Sequence, residues 1–308
     1  MLVLLWQMRS TEAYPGCETW NMEARVAWIS VAPVKGLALA QREEVLLERS
    51  GVRENRRFHL IGDGGRLLNG KQLGELFRVA AEWDEEGQRL ALRFPDGSAA
   101  DAVVELGEPV TTSFYGRPVA GRIVDGPWAD ALSSFAGRPL RLVQPVDPGG
   151  GLDRDGGGVT LLSTASLEAI REAAGADLPV DPRRFRMLFG VEGVEPHEED
   201  SWIGRRVRIG EATALLRGNV GRCVVTSRDP DTGERTLATL DVLAEYRGGV
   251  ETTEPLPFGV WGTVAEPGRV RLGDAVVPEP VRASARARGR ARRAVPGGCP
   301  PPAGRGPS

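Results

Sequence analysis

The spacing of apolar and polar residues predicts a chain built mainly from short β-strands. From Arg25 onward, apolar and polar positions alternate over short segments, as expected for half-buried strands. Turn-forming residues separate several of these segments, for example at 62–65 and 96–97. The predicted strands of the first half are 25–31, 44–48, 57–61, 79–83, 89–94, 110–114 and 119–124. Strands this short and this often interrupted are typical of a small β-barrel or sandwich.

The second half combines further strands with a few helices. A helix is predicted at 128–135 and ends at Gly137, and Ser163 or Thr164 caps a second helix that reaches Ala174. A third helix is predicted at 239–246. The remaining predicted strands are 159–162, 185–191, 207–209, 212–217, 223–227, 260–264 and 270–272. The pattern therefore predicts a mainly β chain of the α+β class.

Composition narrows the class of protein. The chain has 308 residues, which favours two domains, and its 40 Gly and 23 Pro disfavour an all-α fold. No apolar run reaches the roughly 18 to 20 residues of a membrane span, so we expect a soluble protein without a membrane partner. The low number of cysteines favours the cytoplasm. Three widely separated cysteines exclude a zinc ribbon and a disulfide framework, and two histidines disfavour a multi-histidine metal centre.

The ends of the chain differ in charge from its body. Residues 1–24 are predicted to be a disordered arm or a start placed too far upstream, and residues 279–308 a disordered tail. Residues 281–308 of the tail carry seven Arg and no acidic residue, but without interleaved aromatics they do not favour nucleic-acid binding. A glycine-rich segment at 149–158 is predicted to be a mobile loop. Arginine supplies almost every cation, since the chain has only two lysines, Lys35 and Lys71.

The segment 218–234 contains the strongest candidate for chemistry. In this segment Cys223 follows Gly221 and Arg222, and the neighbouring guanidinium favours the thiolate, the form that binds soft metals or attacks electrophiles. A buried cysteine that opens a strand and acts as a small apolar side chain is the alternative. The residues alone leave both interpretations open.

Eight segments in order resemble the MOSC domain family, which includes molybdenum-cofactor sulfurases and the mitochondrial amidoxime-reducing component with its bacterial relatives. The matching segments are VAPVKG at 31–36, RRFHLI at 56–61, LLSTASL at 161–167, RRFRMLFGVEG at 183–193, EDSWIG at 199–204, GRCVVTSRDPDTGE at 221–234, PFG at 257–259 and EPGRVRLGDAV at 266–276. The resemblance implies a MOSC N-terminal β-barrel-like domain at 25–145 and a MOSC domain at 146–278.

The resemblance also implies a cofactor and its ligands. In such proteins the cysteine of the matching motif coordinates molybdenum carried on a molybdopterin, which makes Cys223 the expected metal ligand and catalytic residue. The resemblance implies that the cofactor is bound by Lys35, Arg57, Ser163, Arg186 and Arg222. Cationic donors suit the phosphate of the pterin. The alternative for Arg57 and Arg186 is that they are surface arginines of strands.

Two positions depart from the pattern of related reductases. Leu188 replaces an asparagine, and Val260 replaces a glutamine, so two polar side chains are missing. The chain also contains no ferredoxin-like cysteine cluster.

The resemblance implies an oxidoreductase that reduces N-oxygenated small molecules with electrons from a separate ferredoxin, flavoprotein or similar partner. One alternative is a non-redox carrier or sulfur-transfer module for the molybdenum cofactor. A second is an accessory protein that uses the basic tail and retains a vestigial site.

Overall fold

The computed structural model describes residues 23–147, 153, 156–177 and 179–280. The predicted arm and tail lie almost wholly outside these residues, as does most of the predicted loop 149–158. The mainly β chain with few helices that the pattern predicts is confirmed. The described helices are α1 (Trp128–Ala136), α2 (Thr164–Ala173) and α3 (Thr239–Arg247). None of these three helices, taken from the described ranges, is long and apolar enough to cross a membrane.

The largest sheet contains eight strands drawn from both halves of the chain. In spatial order they are β19 (Val276–Pro278), β15 (Arg206–Ile209), β16 (Ala212–Gly221), β17 (Pro257–Glu266), β13 (Val159–Ser163), β14 (Phe189–Glu192), β1 (Arg25–Val31) and β2 (Ala40–Gln41). Strands β13 and β14 run parallel, and the other neighbours are antiparallel. The sheet curls, because the start of β1 also hydrogen-bonds to residues 273–276 beside the opposite edge strand β19.

Three smaller sheets complete the fold. The five-stranded sheet has the order β10 (Glu105–Phe114), β11 (Arg117–Asp125), β12 (Arg141–Pro145), β5 (His59–Ile61) and β6 (Leu67–Leu68). The two three-stranded sheets are β18 (Gly268–Arg271), β3 (Glu44–Glu48) and β4 (Gly51–Val52), and β7 (Ala80–Asp84), β8 (Arg89–Arg93) and β9 (Ala99–Val103). Residues 23–52 therefore pair with strands of the second half, across the boundary predicted at 145/146.

The two largest hydrophobic cores of the described residues follow from this arrangement. One core lies inside the curled sheet and contains Ile29, Leu47, Phe189 and Val207, so that β1 and β3 pack together with strands of the second half. The other core lies within residues 34–142 and includes Phe58 and Trp128.

Between the two halves the backbones approach closely, since a Cβ at Gly158 would lie 2.7 Å from the Cα of Gly51. Only glycine fits at such a contact.

The strand predicted at 223–227 is wrong. Strand β16 ends at Gly221, and residues Val224–Ser227 form a 3₁₀ turn that starts from Cys223. The amide and hydroxyl of Thr226 both donate to the carbonyl of Cys223, each at 3.0 Å. This local closure replaces sheet pairing, because a threonine hydroxyl can satisfy a carbonyl that would otherwise pair with a neighbouring strand. The strand predicted at 185–191 likewise begins only at Phe189, after a 3₁₀ turn at Pro182–Phe185.

Candidate functional site

Cys223 lies at the wall of a cavity between the two halves of the chain. The cavity has a volume of about 430 Å³, within the range of small-molecule sites. Its walls come from residues 35–115 on one side and from residues 153–254 on the other. Cys223 is a free, half-buried thiol, and it faces this space instead of the apolar cores. We call this space the cysteine cavity.

Basic side chains outnumber acidic ones around the cysteine cavity. The acidic residues are Asp153 and Glu254, and the basic residues are Lys35, Arg56, Lys71, Arg186 and Arg222. Both lysines of the chain are therefore among its lining residues. An excess of positive charge inside a concave site attracts anionic ligands and is costly to maintain without one.

Asp153 already supplies one anion to this cavity. Its carboxylate pairs with the ammonium of Lys35 and lies 2.5 Å from a guanidinium nitrogen of Arg56. Burial opposes ionisation, yet the charges of Arg56 and Lys35 hold the pKa of the Asp153 carboxyl below its ordinary value. Burial also lowers the pKa of Lys35, and Asp153 offsets part of that shift. Two cations of the cavity, Lys35 and Arg56, therefore pair with the two oxygens of one carboxylate.

Lys35 is positioned by a turn that needs glycine. The amide of Lys35 donates to the carbonyl of Phe58 at 2.8 Å, which fixes the backbone beside β5. Gly36 follows with φ of +93°, a conformation that side chains of L-residues rarely adopt. The motif Val34-Lys35-Gly36 therefore turns the chain so that the lysine enters the cavity.

Arg186 reaches the cavity from a residue in the left-handed conformation, with φ of +53°. Its guanidinium donates to the carbonyl of Leu37 at 2.7 Å and stacks 5.0 Å from the ring centroid of Phe77. Burial, together with the neighbouring Arg56, lowers the pKa of Arg186. An arginine stays charged at neutral pH even so.

Arg222 lines the cavity, but its guanidinium is held by the backbone. It donates to the carbonyl of Phe258 at 2.7 Å and to that of Phe185 at 2.9 Å, and a third nitrogen contacts the sulfur of Met187 at 3.0 Å. These bonds tie the segment before β14 to the start of β17. Arg222 therefore shapes the wall beside Cys223.

Arg57 and Ser163, which the sequence also suggested, do not line the cysteine cavity. Arg57 stacks 4.3 Å from the ring centroid of Trp83 and pairs with Glu85 at 3.2 Å. Its neighbour Arg56 enters the cavity in its place, from a turn in which Arg56 has φ of +57°.

Ser163 caps helix α2. Its hydroxyl accepts a hydrogen bond from the amide of Ser166 at 3.1 Å, and its own amide donates to the buried carboxylate of Glu199 at 3.2 Å. The side chain is fully buried. The structure thus brings Lys35, Arg186, Arg222 and Cys223 together and places Ser163 elsewhere, as an N-cap.

Several lining residues were missed in the sequence, among them Arg56, Lys71, Tyr115 and Asp153. Lys71 carried a signal, because it is one of only two lysines. Its ammonium lies 4.5 Å from the ring centroid of Tyr115, whose hydroxyl accepts a hydrogen bond from Asn69 at 3.1 Å. Partial desolvation and the charge of Asp153 raise the pKa of Tyr115 to about 12, so the phenol keeps its proton.

The two departures from the reductase pattern do not face the cysteine cavity. Leu188 and Val260 are both buried in the core of the curled sheet. The amide of Leu188 donates to the hydroxyl of Thr160 at 2.8 Å, and Thr160 itself lines the cavity. The polar groups near these positions therefore come from Thr160 and from the backbone.

Two protein families match successive parts of the chain. The MOSC N-terminal beta barrel domain matches residues 23–133, and the MOSC domain matches residues 153–277. Cys223 lies within the second match, and the two matched stretches supply opposite walls of the cysteine cavity.

Several curated proteins are similar to this chain. Mitochondrial amidoxime-reducing component 1 of Homo sapiens is 25% identical over 281 residues, which cover 82% of each chain. The protein of the same name from Danio rerio is 26% identical, over 82% of this chain and 83% of its own. A molybdenum cofactor sulfurase of Oryza sativa subsp. japonica is 26% identical over 71% of this chain, and the match covers 30% of that protein.

Solved structures with some likeness include the YUAD protein from Bacillus subtilis and YiiM from Geobacillus stearothermophilus. The first has a TM-score of 0.39 and 12% identity, over 83% of this chain and 94% of the other. The second has a TM-score of 0.34 and 16% identity, over 59% of this chain and 75% of the other.

Proposed function

This chain is a MOSC protein, with a MOSC N-terminal beta barrel domain followed by a MOSC domain, and on that basis we propose that it binds a molybdenum cofactor in the cysteine cavity. We further propose that it reduces N-oxygenated small molecules with electrons from a separate redox protein. The observation that carries the proposal is a free thiol, that of Cys223, in a cavity rich in cations.

The residues present fit a molybdopterin in charge and in ligand chemistry. Cys223 offers the soft sulfur that suits molybdenum beside the sulfurs of a dithiolene. Lys35 and Arg56 already pair with the carboxylate of Asp153, and this supports their assignment to an anionic group such as a phosphate. The bound cofactor would supply the two-electron chemistry and the capacity to accept oxygen.

The side chains around the cavity have defined tasks in this proposal. Lys35, Arg56 and Arg186 bind and orient the anionic part of the cofactor, and Arg222 fixes the wall from which Cys223 projects. Converting an N-hydroxyl group to an amine takes up two electrons and two protons and releases water. Tyr115 keeps its proton at neutral pH and can donate a hydrogen bond to a substrate at this wall.

Similarity to the amidoxime-reducing components supports the reaction type. The match to this chain covers most of the length of these relatives, whereas the match to the sulfurase covers under a third of that protein. The cytoplasm is the compartment we propose, and the electron donor is a ferredoxin, a flavoprotein or a similar protein.

The decisive experiment measures molybdenum and pterin in protein expressed in a host that makes the cofactor. We expect the wild-type protein to carry both and to reduce an amidoxime or a hydroxylamine with an artificial electron donor. The variant Cys223→Ala should lose the metal and the activity while it keeps its thermal stability, because the thiol is half-buried and faces the cavity.

The chain offers matched controls for this experiment. Cys17→Ala and Cys299→Ala each remove one of the other two cysteines, and both should keep the metal. Retention of molybdenum in Cys223→Ala would contradict the ligand assignment. Cofactor without turnover would favour the carrier or sulfur-transfer alternative.

A further inference from the structure

A second cavity adjoins the cysteine cavity, and five of its eleven lining residues are arginines. It has a volume of about 310 Å³ and shares Phe77 and Arg186 with the cysteine cavity. Among the described residues, neither Cys223 nor either lysine lines it. We call this space the arginine cavity, and its arginines are Arg78, Arg183, Arg184, Arg186 and Arg228.

Carboxylates compensate the charges of two of these arginines. Arg183 lies 2.6 Å from Asp181 and 2.7 Å from Asp231, and it contacts both oxygens of each carboxylate. Arg184 lies 3.2 Å from a carboxylate oxygen of Asp229. These two guanidinium groups are therefore held in place before any ligand arrives.

The other three arginines pair with no carboxylate in the part of the chain that the structure describes. Arg186 donates to the carbonyl of Leu37, and Arg228 donates to two backbone carbonyls at 2.7 and 3.3 Å. The Nε of Arg228 is buried and has no partner among the described residues, and Arg78 is exposed. Carbonyl dipoles do not cancel a full charge, so the cavity retains uncompensated positive charge.

Apolar groups line the rest of the arginine cavity. They include Phe77, Pro95 and Pro230, and the ring of Phe77 stacks against Arg186. Guanidinium groups bind carboxylates and phosphates through paired hydrogen bonds, and the apolar walls favour a ligand with a hydrocarbon or aromatic part. The volume admits a small organic molecule and excludes a folded partner.

We propose that the arginine cavity binds a small organic oxyanion, in which a phosphate or carboxylate is joined to an apolar group. Arg78 and Arg186 contact the anionic group, and Phe77 packs against the apolar part. This site shares Phe77 and Arg186 with the cysteine cavity, where we propose that the cofactor binds. Binding of the oxyanion does not require molybdenum, because Cys223 does not line the arginine cavity.

The test is isothermal titration calorimetry of the full-length chain at fixed ionic strength. Phenyl phosphate and benzoate are the two anionic probes, which distinguish a phosphate from a carboxylate, and benzyl alcohol is the neutral one. We expect saturable binding of at least one anion and none of the alcohol. Arg78→Gln should weaken this binding about fivefold, since one charged hydrogen-bond partner is lost.

A second variant should act in the opposite direction. Asp231 is an exposed carboxylate that competes with a ligand for Arg183, so Asp231→Asn should tighten the binding of the same probe about threefold. Both changed side chains are exposed, so both variants should fold as the wild type does.

Two controls locate the anion. Arg49→Gln removes an exposed arginine outside both cavities and should leave the affinity unchanged. Lys71→Gln changes the cysteine cavity alone and should also leave it unchanged. The proposal is overturned by absence of saturable binding, by unchanged affinity in both Arg78→Gln and Asp231→Asn, or by a loss in Lys71→Gln equal to that in Arg78→Gln.

Discussion

Asp153 places a carboxylate among the cations of the cysteine cavity. It faces Lys35 and Arg56, with Arg186 close enough to influence its pKa. A cofactor phosphate that binds at the same cations replaces one anion by another, so the cavity is electrostatically prepared for an anionic ligand. The same carboxylate keeps the cations from repelling each other in its absence.

We predict that Asp153→Asn lowers the pKa of Lys35 further. The wild-type pKa is already lowered by burial, and the carboxylate is the charge that opposes this shift. The rate of Lys35 labelling by an amine-reactive reagent, followed against pH by peptide mass spectrometry, should therefore reach its midpoint at a lower pH in the variant. Lys71 is the only other lysine and serves as an internal reference. An unchanged Lys35 midpoint would refute the pairing.

His59 makes the stability of the chain depend on pH. It is fully buried in β5, and its ring hydrogen-bonds to the hydroxyl of Thr112 at 2.9 Å. Burial, with a smaller contribution from the charge of Lys35, lowers its pKa to about 3. The unfolded chain binds a proton below about pH 6.5, and the folded chain does not until about pH 3. Stability is therefore lost as the pH falls through this window.

The predicted loss is about 1.4 kcal/mol for each pH unit below about 6.5. His59→Gln removes this titration, so the difference in unfolding free energy between wild type and variant should shrink by roughly 2 kcal/mol between about pH 7 and pH 5. Urea denaturation at the two pH values measures it. Because His197 is present in both proteins, its own titration cancels. A difference that is independent of pH would mean that His59 is protonated in the folded chain.

Helix α2 shows how a motif that resembles a cofactor site can serve the fold instead. Ser163 ends β13 and caps the helix, and Ser166 in the first turn donates to Glu199 at 2.9 Å. Burial raises the pKa of Glu199, and one of its oxygens has no hydrogen-bond partner among the described residues. The two serines of the segment 161–167 thus hydrogen-bond to each other, to the backbone and to Glu199.

We predict that Ser163→Ala lowers the free energy of unfolding by about 1 kcal/mol, the usual cost of losing an N-cap. It should leave the molybdenum and pterin content unchanged, since Ser163 lies outside the cysteine cavity. Chemical denaturation and cofactor analysis of the same preparation measure the two effects. Thr164→Ala changes the next residue without removing the cap and is the matched control. If Ser163→Ala lost the cofactor but kept wild-type stability, the result would show that Ser163 binds the cofactor and would contradict the capping role.

The first strands of the chain connect its two halves by pairing with strands of the second half. Strand β1 pairs with β14, and β3 pairs with β18, so the N-terminal residues complete sheets whose other strands follow residue 145. Five core residues lie in these two strands: Val26, Ile29, Val31, Val45 and Leu47. The second half cannot close its apolar core without them.

We therefore predict that the fragment 146–280 does not fold alone. Exposing five buried apolar side chains costs about 10 kcal/mol, which is comparable to the total stability of an ordinary domain. Circular dichroism and urea denaturation should show no cooperative transition for the fragment, whereas 23–280 should unfold in one. A cooperative transition in the isolated fragment would show that the second half carries a complete core.

Local sequence patterns determined much of this protein. The predicted bounds of β1 and β3 are confirmed, because alternation fixes which face of a strand is buried. The helices at 128–136 and 164–173 are confirmed to within one residue, because Gly137 and Ser163 provide local stop and start signals. The resemblance also identified the thiol and three of the cations that share one cavity.

Tertiary structure decided the rest. Which of Arg56 and Arg57 enters the cavity depends on how β5 is packed, and two adjacent arginines look alike in a sequence. Asp153 and Lys71 both line the cysteine cavity, although they are far apart in sequence. Only the folded chain brings them together. A periodic pattern reports only which side of an element is buried. The direction of a single side chain, and the partners it meets, depend on long-range closure of the sheets.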